Sequence, residues 1–153
     1  MSLPDGLAQR LAAQLDAIPA LLGELEPALL MRRTIPDKWS AHENLAHLSR
    51  YQEIFIERIG RILMEDRPSL GRYLAEADPQ WPAWVALPTI EVLKRLRNHR
   101  ERMLAVVGGL SDAQLAREGI HQVFGPLTLT QWLDFFLVHE GHHLYVAVQR
   151  ARS

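Results

Sequence analysis

The sequence predicts an all-α protein, a four-helix bundle with a long crossover between its second and third helices. Four long segments repeat apolar residues at spacings of three and four, as amphipathic helices do, and residues 67–88 separate the second segment from the third. No stretch shows the alternating pattern of a strand. With 153 residues the chain fits a single domain, 1–153, and the long connection implies a topology other than simple up-down-up-down.

Helix 1 is predicted from about Pro4 to Leu25, because an apolar residue recurs every three or four positions over this range. Pro19 lies inside the run, where it removes a backbone donor and crowds the preceding turn, so we expect a kink or break near Ala17. The apolar stripe consists of Leu7, Leu11, Leu15, Ile18, Leu22 and Leu25.

Helix 2 is predicted from about Ser40 to Met64. Ser40 and Glu43 have the spacing of a capping box, in which the two side chains satisfy each other's backbone N–H groups at the start of a helix. The following stretch, from Arg67 to Pro88, holds four Pro, one Gly and two Trp with weak periodicity. This composition predicts a crossover that has room for a short helix.

Helix 3 is predicted from Thr89, which can cap it, to the Gly108–Gly109 pair, which ends it. Ser111 and Gln114 repeat the capping-box spacing but open only a short segment. The residues after that segment, which include His121, are predicted to form a loop.

Helix 4 begins after Thr128, which forms a capping box with Gln131, and is predicted to run to about Arg150. Its apolar face also carries two histidines, so the helix is predicted to turn both of them into the bundle. The residues that share this face are Leu129, Trp132, Phe136, His139, His143 and Ala147.

Composition excludes several classes of protein. Seventeen basic and eighteen acidic residues give a formal charge of −1, and no dense run of Lys and Arg marks a nucleic-acid surface. No apolar run approaches the roughly 18 residues that span a bilayer, so we expect a cytoplasmic protein without a membrane partner. Because the chain has no Cys, any metal ion must be held by His and carboxylate side chains.

The histidine pattern predicts a metal site. His139 and His143 stand four residues apart on helix 4, so both side chains project from one face and can bind the same ion. His47 lies on or near the apolar stripe of helix 2 and supplies a third imidazole from a facing helix. Three neutral imidazoles leave coordination positions open for water or substrate, as in catalytic zinc sites. We therefore predict His47, His139 and His143 as the metal ligands.

Each histidine also has a simpler explanation. A single His on an apolar stripe is more often a hydrogen-bonded core residue than a ligand, and only the pair at i and i+4 shifts the balance. His42 in the first turn of helix 2, His121 in a loop and His142 on another face of helix 4 are expected at the surface or beside the ligands. His99 lies next to the apolar seam of helix 3 and is expected in the core or beside the ligands.

His139, Glu140 and His143 also satisfy the pattern HExxH, in which zinc proteases place two ligands and a glutamate general base. The extended protease pattern requires His at position 149, where this chain has Gln149. An all-α chain also lacks the strand along which a protease usually lays its substrate. Proteolysis is therefore a minor alternative.

Three segments of the chain, in the right order and spacing, resemble the DinB-like (DinB/YfiT-like) superfamily. They are Lys38-Trp39-Ser40 with Glu43, Leu45, His47 and Leu48, then Gly125-Pro126-Leu127-Thr128-Leu129, then His139-Glu140-Gly141-His142-His143-Leu144. The resemblance implies a four-helix bundle with a long crossover, often a homodimer, that binds Zn or Ni through three histidines matching His47, His139 and His143. Relatives include S-transferases that use a low-molecular-weight thiol such as bacillithiol, mycothiol or glutathione.

These observations favour a divalent-metal-dependent enzyme of the thiol S-transferase type, acting on a small molecule. His47, His139 and His143 would hold the ion, which would raise the nucleophilicity of a bound thiol. Glu140 is predicted as the catalytic residue, orienting an imidazole or accepting a proton from bound water or thiol, and not as a fourth ligand. The alternatives are a non-catalytic, stress-related metal-binding protein and a metal-dependent hydrolase.

Overall fold

The computed structural model describes residues 3–153, which form a four-helix bundle with a long crossover. Three long helices, Ala41–Met64, Thr89–Gly108 and Leu129–Arg152, pack with a broken first helix, Asp5–Ala13 and Ala17–Leu22, and the first of the three long helices contacts the other two most extensively. This confirms the predicted fold class. The elements are α1 (Asp5–Ala13), a 3-10 turn (Gln14–Asp16), α2 (Ala17–Leu22), α3 (Pro27–Met31), α4 (Ala41–Met64), β1 (Ser69–Leu70), a 3-10 turn (Ala75–Ala77), α5 (Trp81–Ala86), α6 (Thr89–Gly108), α7 (Asp112–Leu115), β2 (Glu118–His121), β3 (Gly125–Thr128) and α8 (Leu129–Arg152).

The two helices that carry the candidate ligands begin at the predicted capping boxes. At the start of α4 the backbone N–H of Glu43 donates to Ser40 Oγ (3.1 Å), and the backbone N–H of Ser40 donates to Glu43 Oε1 (3.1 Å). Thr128 and Gln131 form the same reciprocal pair at the start of α8. These caps fix where each helix starts, and therefore which face its histidines occupy.

The first helix is interrupted where a break was expected. Residues Gln14–Asp16 form a 3-10 turn between α1 and α2, just before Pro19. Proline has no N–H to donate to the carbonyl one turn earlier, and its ring crowds that turn, so the helix tightens before it. Helical structure then ends at Leu22, earlier than the predicted Leu25.

A small three-stranded sheet corrects the prediction that the chain has no strands. Strands β2 and β3 form an antiparallel hairpin, and β1 from the crossover pairs in parallel with β2. The strands are two to four residues long, too short to show an alternating pattern in sequence. Gly125, with φ of 72°, begins β3 in a conformation that favours glycine.

Part of the hydrophobic core lies between α4 and α8. Phe55 of α4 stacks on Phe136 of α8 with 4.5 Å between ring centroids, and both rings are almost fully buried. Trp132 is also buried and donates from Nε1 to the carbonyl of Gly119 in β2 (3.1 Å), which ties the sheet to the bundle. This packing brings the face of α4 that carries His47 against the face of α8 that carries His139 and His143.

None of the helices found in residues 3–153 has both the length and the hydrophobicity needed to cross a bilayer.

Candidate metal centre

The structure brings the three predicted ligands together. His47 projects from α4, and His139 and His143 project from successive turns of α8. One nitrogen from each ring can be chosen so that all three atoms lie within 4.8 Å of one another. Nε2 of His47 and Nε2 of His139 are 3.3 Å apart, and the ring centroids of His47 and His143 are 4.5 Å apart. Two helices thus direct three imidazoles to one point.

Asn44 orients one of these rings. His143 Nδ1 donates a hydrogen bond to Asn44 Oδ1 (2.8 Å), and Asn44 Nδ2 donates in turn to the carbonyl of Ser40 (2.9 Å). Because Nδ1 of His143 carries the hydrogen, its Nε2 has a free lone pair. Asn44 was missed in the sequence, although its position three residues before His47 places it on the same face of α4.

Burial keeps the three imidazoles neutral. It lowers the pKa of His47 to about 2, that of His143 to about 3 and that of His139 to about 4. For His47, the neighbouring His143 and His139 lower the pKa further, because a second positive charge in so small a space is unfavourable. A neutral imidazole is the form that binds a metal ion.

The arrangement fits a divalent ion. Imidazole nitrogens at about 2.05 Å from a tetrahedral ion lie about 3.3 Å from each other, and Nε2 of His47 and Nε2 of His139 have this separation. If Nε2 of His47 and Nε2 of His139 both carry lone pairs, neither can donate a hydrogen bond to the other. A cation between them would accept both lone pairs. Within residues 3–153 these three histidines are the one group of three or more His, Asp or Glu side chains whose ligand atoms lie close enough to share an ion.

A cavity of about 510 Å³ opens onto the triad. Its walls beside the histidines are aromatic: the Tyr51 ring is 4.7 Å from the His139 ring, the Trp39 ring is 5.2 Å from the His47 ring, and Tyr73 stacks on His47 at 6.0 Å. These rings exclude water from one side of the site.

The crossover supplies one of these walls. Tyr73 donates from its hydroxyl to Asp78 Oδ2 (2.6 Å), and Arg50 Nε of α4 donates to the same oxygen (2.7 Å). Burial and the Asp78 carboxylate raise the pKa of Tyr73, so it remains a neutral phenol. The ion pair between Arg50 and Asp78 therefore holds the crossover against α4, beside the histidine triad.

Glu140 does not line this cavity, and the proton-accepting role that the sequence suggested for it stays a prediction. Its side chain is buried on another face of α8, where its carboxylate forms an ion pair with Arg100 and accepts from Gln14 Nε2 (2.9 Å). Arg100 also donates to the carbonyl of Leu11 (2.7 Å) and to Gln52 Oε1 (3.2 Å). Glu140 follows His139 on α8 and is therefore rotated by about 100° about the helix axis. This rotation turns its side chain away from both the ligand position and the cavity.

The other histidines have separate roles. His42 was expected at the surface or beside the ligands, but it is fully buried and hydrogen-bonded to Thr89 Oγ1 (2.8 Å) and to the carbonyl of Val85 (2.9 Å). His142 is exposed, as one alternative predicted, and its ring is 5.2 Å from that of His143. His121 lies in β2 and lines the cavity. His99 lies 3.6 Å from a carboxylate oxygen of Glu53, away from the triad.

Fold and site together define a small helical protein with a candidate three-histidine metal centre, and comparison with known proteins gives its family. The sequence profile of the DinB superfamily matches residues 10–147, so the chain belongs to that superfamily. The uncharacterized protein YuaE of Bacillus subtilis (strain 168) is 28% identical over 144 residues, which cover 86% of this chain and 88% of YuaE.

Two solved structures share the fold. YfiT from Bacillus subtilis, described as a probable metal-dependent hydrolase with an unusual four-helix bundle topology, superposes with a TM-score of 0.83 at 19% identity, covering 97% of this chain and 85% of YfiT. TT2238, described as a four-helix bundle protein, gives a TM-score of 0.56 at 25% identity over 93% of this chain and 95% of its own. Both confirm the four-helix bundle.

Proposed function

We propose that this protein is a divalent-metal-dependent enzyme of the thiol S-transferase type, in which the sulfur of an intact small thiol bonds to an electrophile as the thiol loses its proton and the electrophile loses its leaving group. One observation carries the proposal: three neutral imidazoles converge at the wall of a cavity of about 510 Å³, large enough for a small substrate. His47, His139 and His143 would hold the ion, and imidazole ligands suit Zn or Ni.

The cavity lining favours a thiol as the nucleophile. Within the described chain, residues 3–153, the side chains that line this cavity include no Asp or Glu. A thiol, with a pKa of about 8.5, needs far less help to ionise than water, with a pKa of about 15.7. A divalent ion in the site would supply the Lewis acidity that lowers the pKa of a coordinated thiol further.

Other residues of the chain would orient a ligand and exclude water from the site. Asn44 holds the ring of His143 so that Nε2 stays available. Trp39, Tyr51 and Tyr73 exclude water around the reacting sulfur, which strengthens electrostatic interactions there. The expected homodimer stays a prediction, which the molar mass of the particle in solution tests.

Hydrolysis is the second candidate. Three imidazoles with open coordination positions are also typical of zinc hydrolases, and YfiT, which shares the fold, is described as a probable metal-dependent hydrolase. A non-catalytic metal-binding protein would keep the same three ligands without turnover.

The rate at which the metal-loaded protein joins a thiol to the electrophile monobromobimane, with release of bromide, distinguishes these possibilities. We expect the rate to rise with the concentration of an added thiol and to be lost in His143→Ala, whereas the matched variant His142→Ala should keep it. Hydrolysis of 4-nitrophenyl acetate without any thiol would favour the hydrolase instead. Equal rates for metal-loaded and metal-free protein in both assays would contradict an enzymatic role.

A further inference from the structure

We propose that the part of the cavity away from the histidine triad is an anion subsite, in which Arg58 and Arg72 bind a carboxylate of the substrate. The proposal rests on the proposed function only in that the substrate is taken to enter this cavity. It adds a substrate class, a carboxylate-bearing thiol, and it assigns specificity to two residues that the metal chemistry does not use.

Arg58 is held in place but its charge is not neutralised. Its guanidinium lies over the ring of Tyr51, 5.8 Å from the centroid, while Nη1 donates to Tyr51 Oη (3.3 Å) and Nη2 donates to the carbonyl of Gly71. No carboxylate within residues 3–153 lies within 4.0 Å of it, unlike Arg61 one turn later on α4, which pairs with Glu65 at 2.7 Å. A guanidinium that is positioned yet unpaired is ready to bind an anion.

Arg72 adds a second positive charge to the same cavity. It follows Gly71, whose carbonyl accepts from Arg58, so the two arginines line neighbouring parts of the wall. Its side chain is exposed and forms no ion pair with any carboxylate of residues 3–153. Two guanidiniums at one cavity match the planar oxygens of a carboxylate.

His121 can supply a hydrogen-bond donor. Its Nδ1 accepts hydrogen bonds from the backbone N–H groups of Val123 (3.0 Å) and Phe124 (3.2 Å) in the hairpin turn. A neutral imidazole whose Nδ1 accepts must carry its hydrogen on Nε2. The ring therefore adds a hydrogen-bond donor to the cavity that it lines.

The charge distribution agrees with this assignment. The side chains from the described part of the chain that line the cavity include two arginines and no carboxylate. Tyr51 contacts both Arg58 and His139, so the proposed anion subsite and the histidine triad adjoin the same ring in the wall of the cavity.

The test compares two thiols of the same shape. The protein is loaded with cobalt(II), and the thiolate-to-cobalt absorption band is titrated with 3-mercaptopropionate and with its neutral amide, 3-mercaptopropanamide. We expect the acid to bind at least about tenfold more tightly than the amide, the usual scale of one charge-assisted hydrogen bond. Arg58→Gln and Arg72→Gln should each reduce this preference severalfold, whereas Arg61→Gln should keep it.

Failure of the thiol chemistry and failure of the subsite give different results. If neither thiol produces the band, binding of butanoate and butanamide to the zinc-loaded protein is followed by the fluorescence of Trp39 and Trp132, which line the cavity. A preference for butanoate that Arg58→Gln abolishes would support the subsite while the thiol proposal fails. Equal affinity for acid and amide in the unaltered protein, or a preference that neither arginine variant changes, would overturn the subsite.

Discussion

Replacing Glu140 by Gln should destabilise the bundle and leave the metal site filled. The side chains of Glu140 and Arg100 are 1% and 4% exposed, so the substitution leaves a guanidinium charge buried without its partner. Breaking a buried ion pair from one side costs about 3–5 kcal/mol. Against a total stability of about 5–15 kcal/mol for a domain, the loss should be large.

The assay is urea unfolding followed by circular dichroism, with metal content measured on the same samples. Asp134→Asn is the matched control on the same helix, because Asp134 pairs with Arg10 through side chains that are 46% and 50% exposed. Exposed pairs contribute about 0–1 kcal/mol, so the control should unfold almost as the parent does. The double variant Glu140→Leu with Arg100→Met should recover much of the lost stability, since no unpaired charge remains.

The reasoning is refuted if Glu140→Gln unfolds at the same urea concentration as the parent protein. If that variant also keeps its metal and loses about 10² to 10⁴ in rate, Glu140 would be a proton acceptor after all.

Three further predictions concern the site. Asn44→Ala should weaken metal affinity about 10- to 100-fold, the usual effect of losing a residue that orients a ligand; competition with a chelator measures it, and unchanged affinity would show that Asn44 does not orient His143. In the metal-free protein the pKa values of His47, His139 and His143 fall from 6.5 to between about 2 and 4. The folded state therefore resists protonation of these histidines, whereas the unfolded chain is protonated near pH 6.5. The free energy of unfolding should keep its full value above about pH 6.5 and decrease as the pH drops below it, by up to about 1.4 kcal/mol per pH unit for each histidine. Denaturation between pH 7.5 and 5 tests this, and a flat profile would contradict it. Adding a chelator should lower the melting temperature and preserve the helical circular dichroism, because the apolar core does not depend on the ion.

Local signals explain what could be predicted from the sequence. Each capping box acts within four residues, and the spacing of His139 and His143 follows from the geometry of a single helix. His47 could be paired with them because it lies near the apolar stripe of α4, and apolar stripes of a bundle face each other. The caps of α4 and α8 and the histidine triad were therefore predictable.

The sequence gives no local signal where the structure depends on other parts of the fold. Whether Glu140 faces the cavity or the core is decided by Arg100 on α6 and Gln14 before α2, neither of which the pattern HExxH includes. His42 looks like a residue of an exposed first turn until α5 and α6 cover it. Strand β1 has only two residues and exists because it pairs with β2, which lies about 50 positions later in the chain.

Metal analysis of the purified protein tests the central claim most directly. We predict about one divalent ion per chain in the parent protein and in His142→Ala, and a strong loss of the ion in His143→Ala, because two remaining imidazoles chelate poorly. His142 is the matched control, being adjacent in sequence, exposed and outside the triad. Full occupancy in His143→Ala, or no bound ion in the parent protein supplied with zinc or nickel, would contradict the three-histidine metal centre.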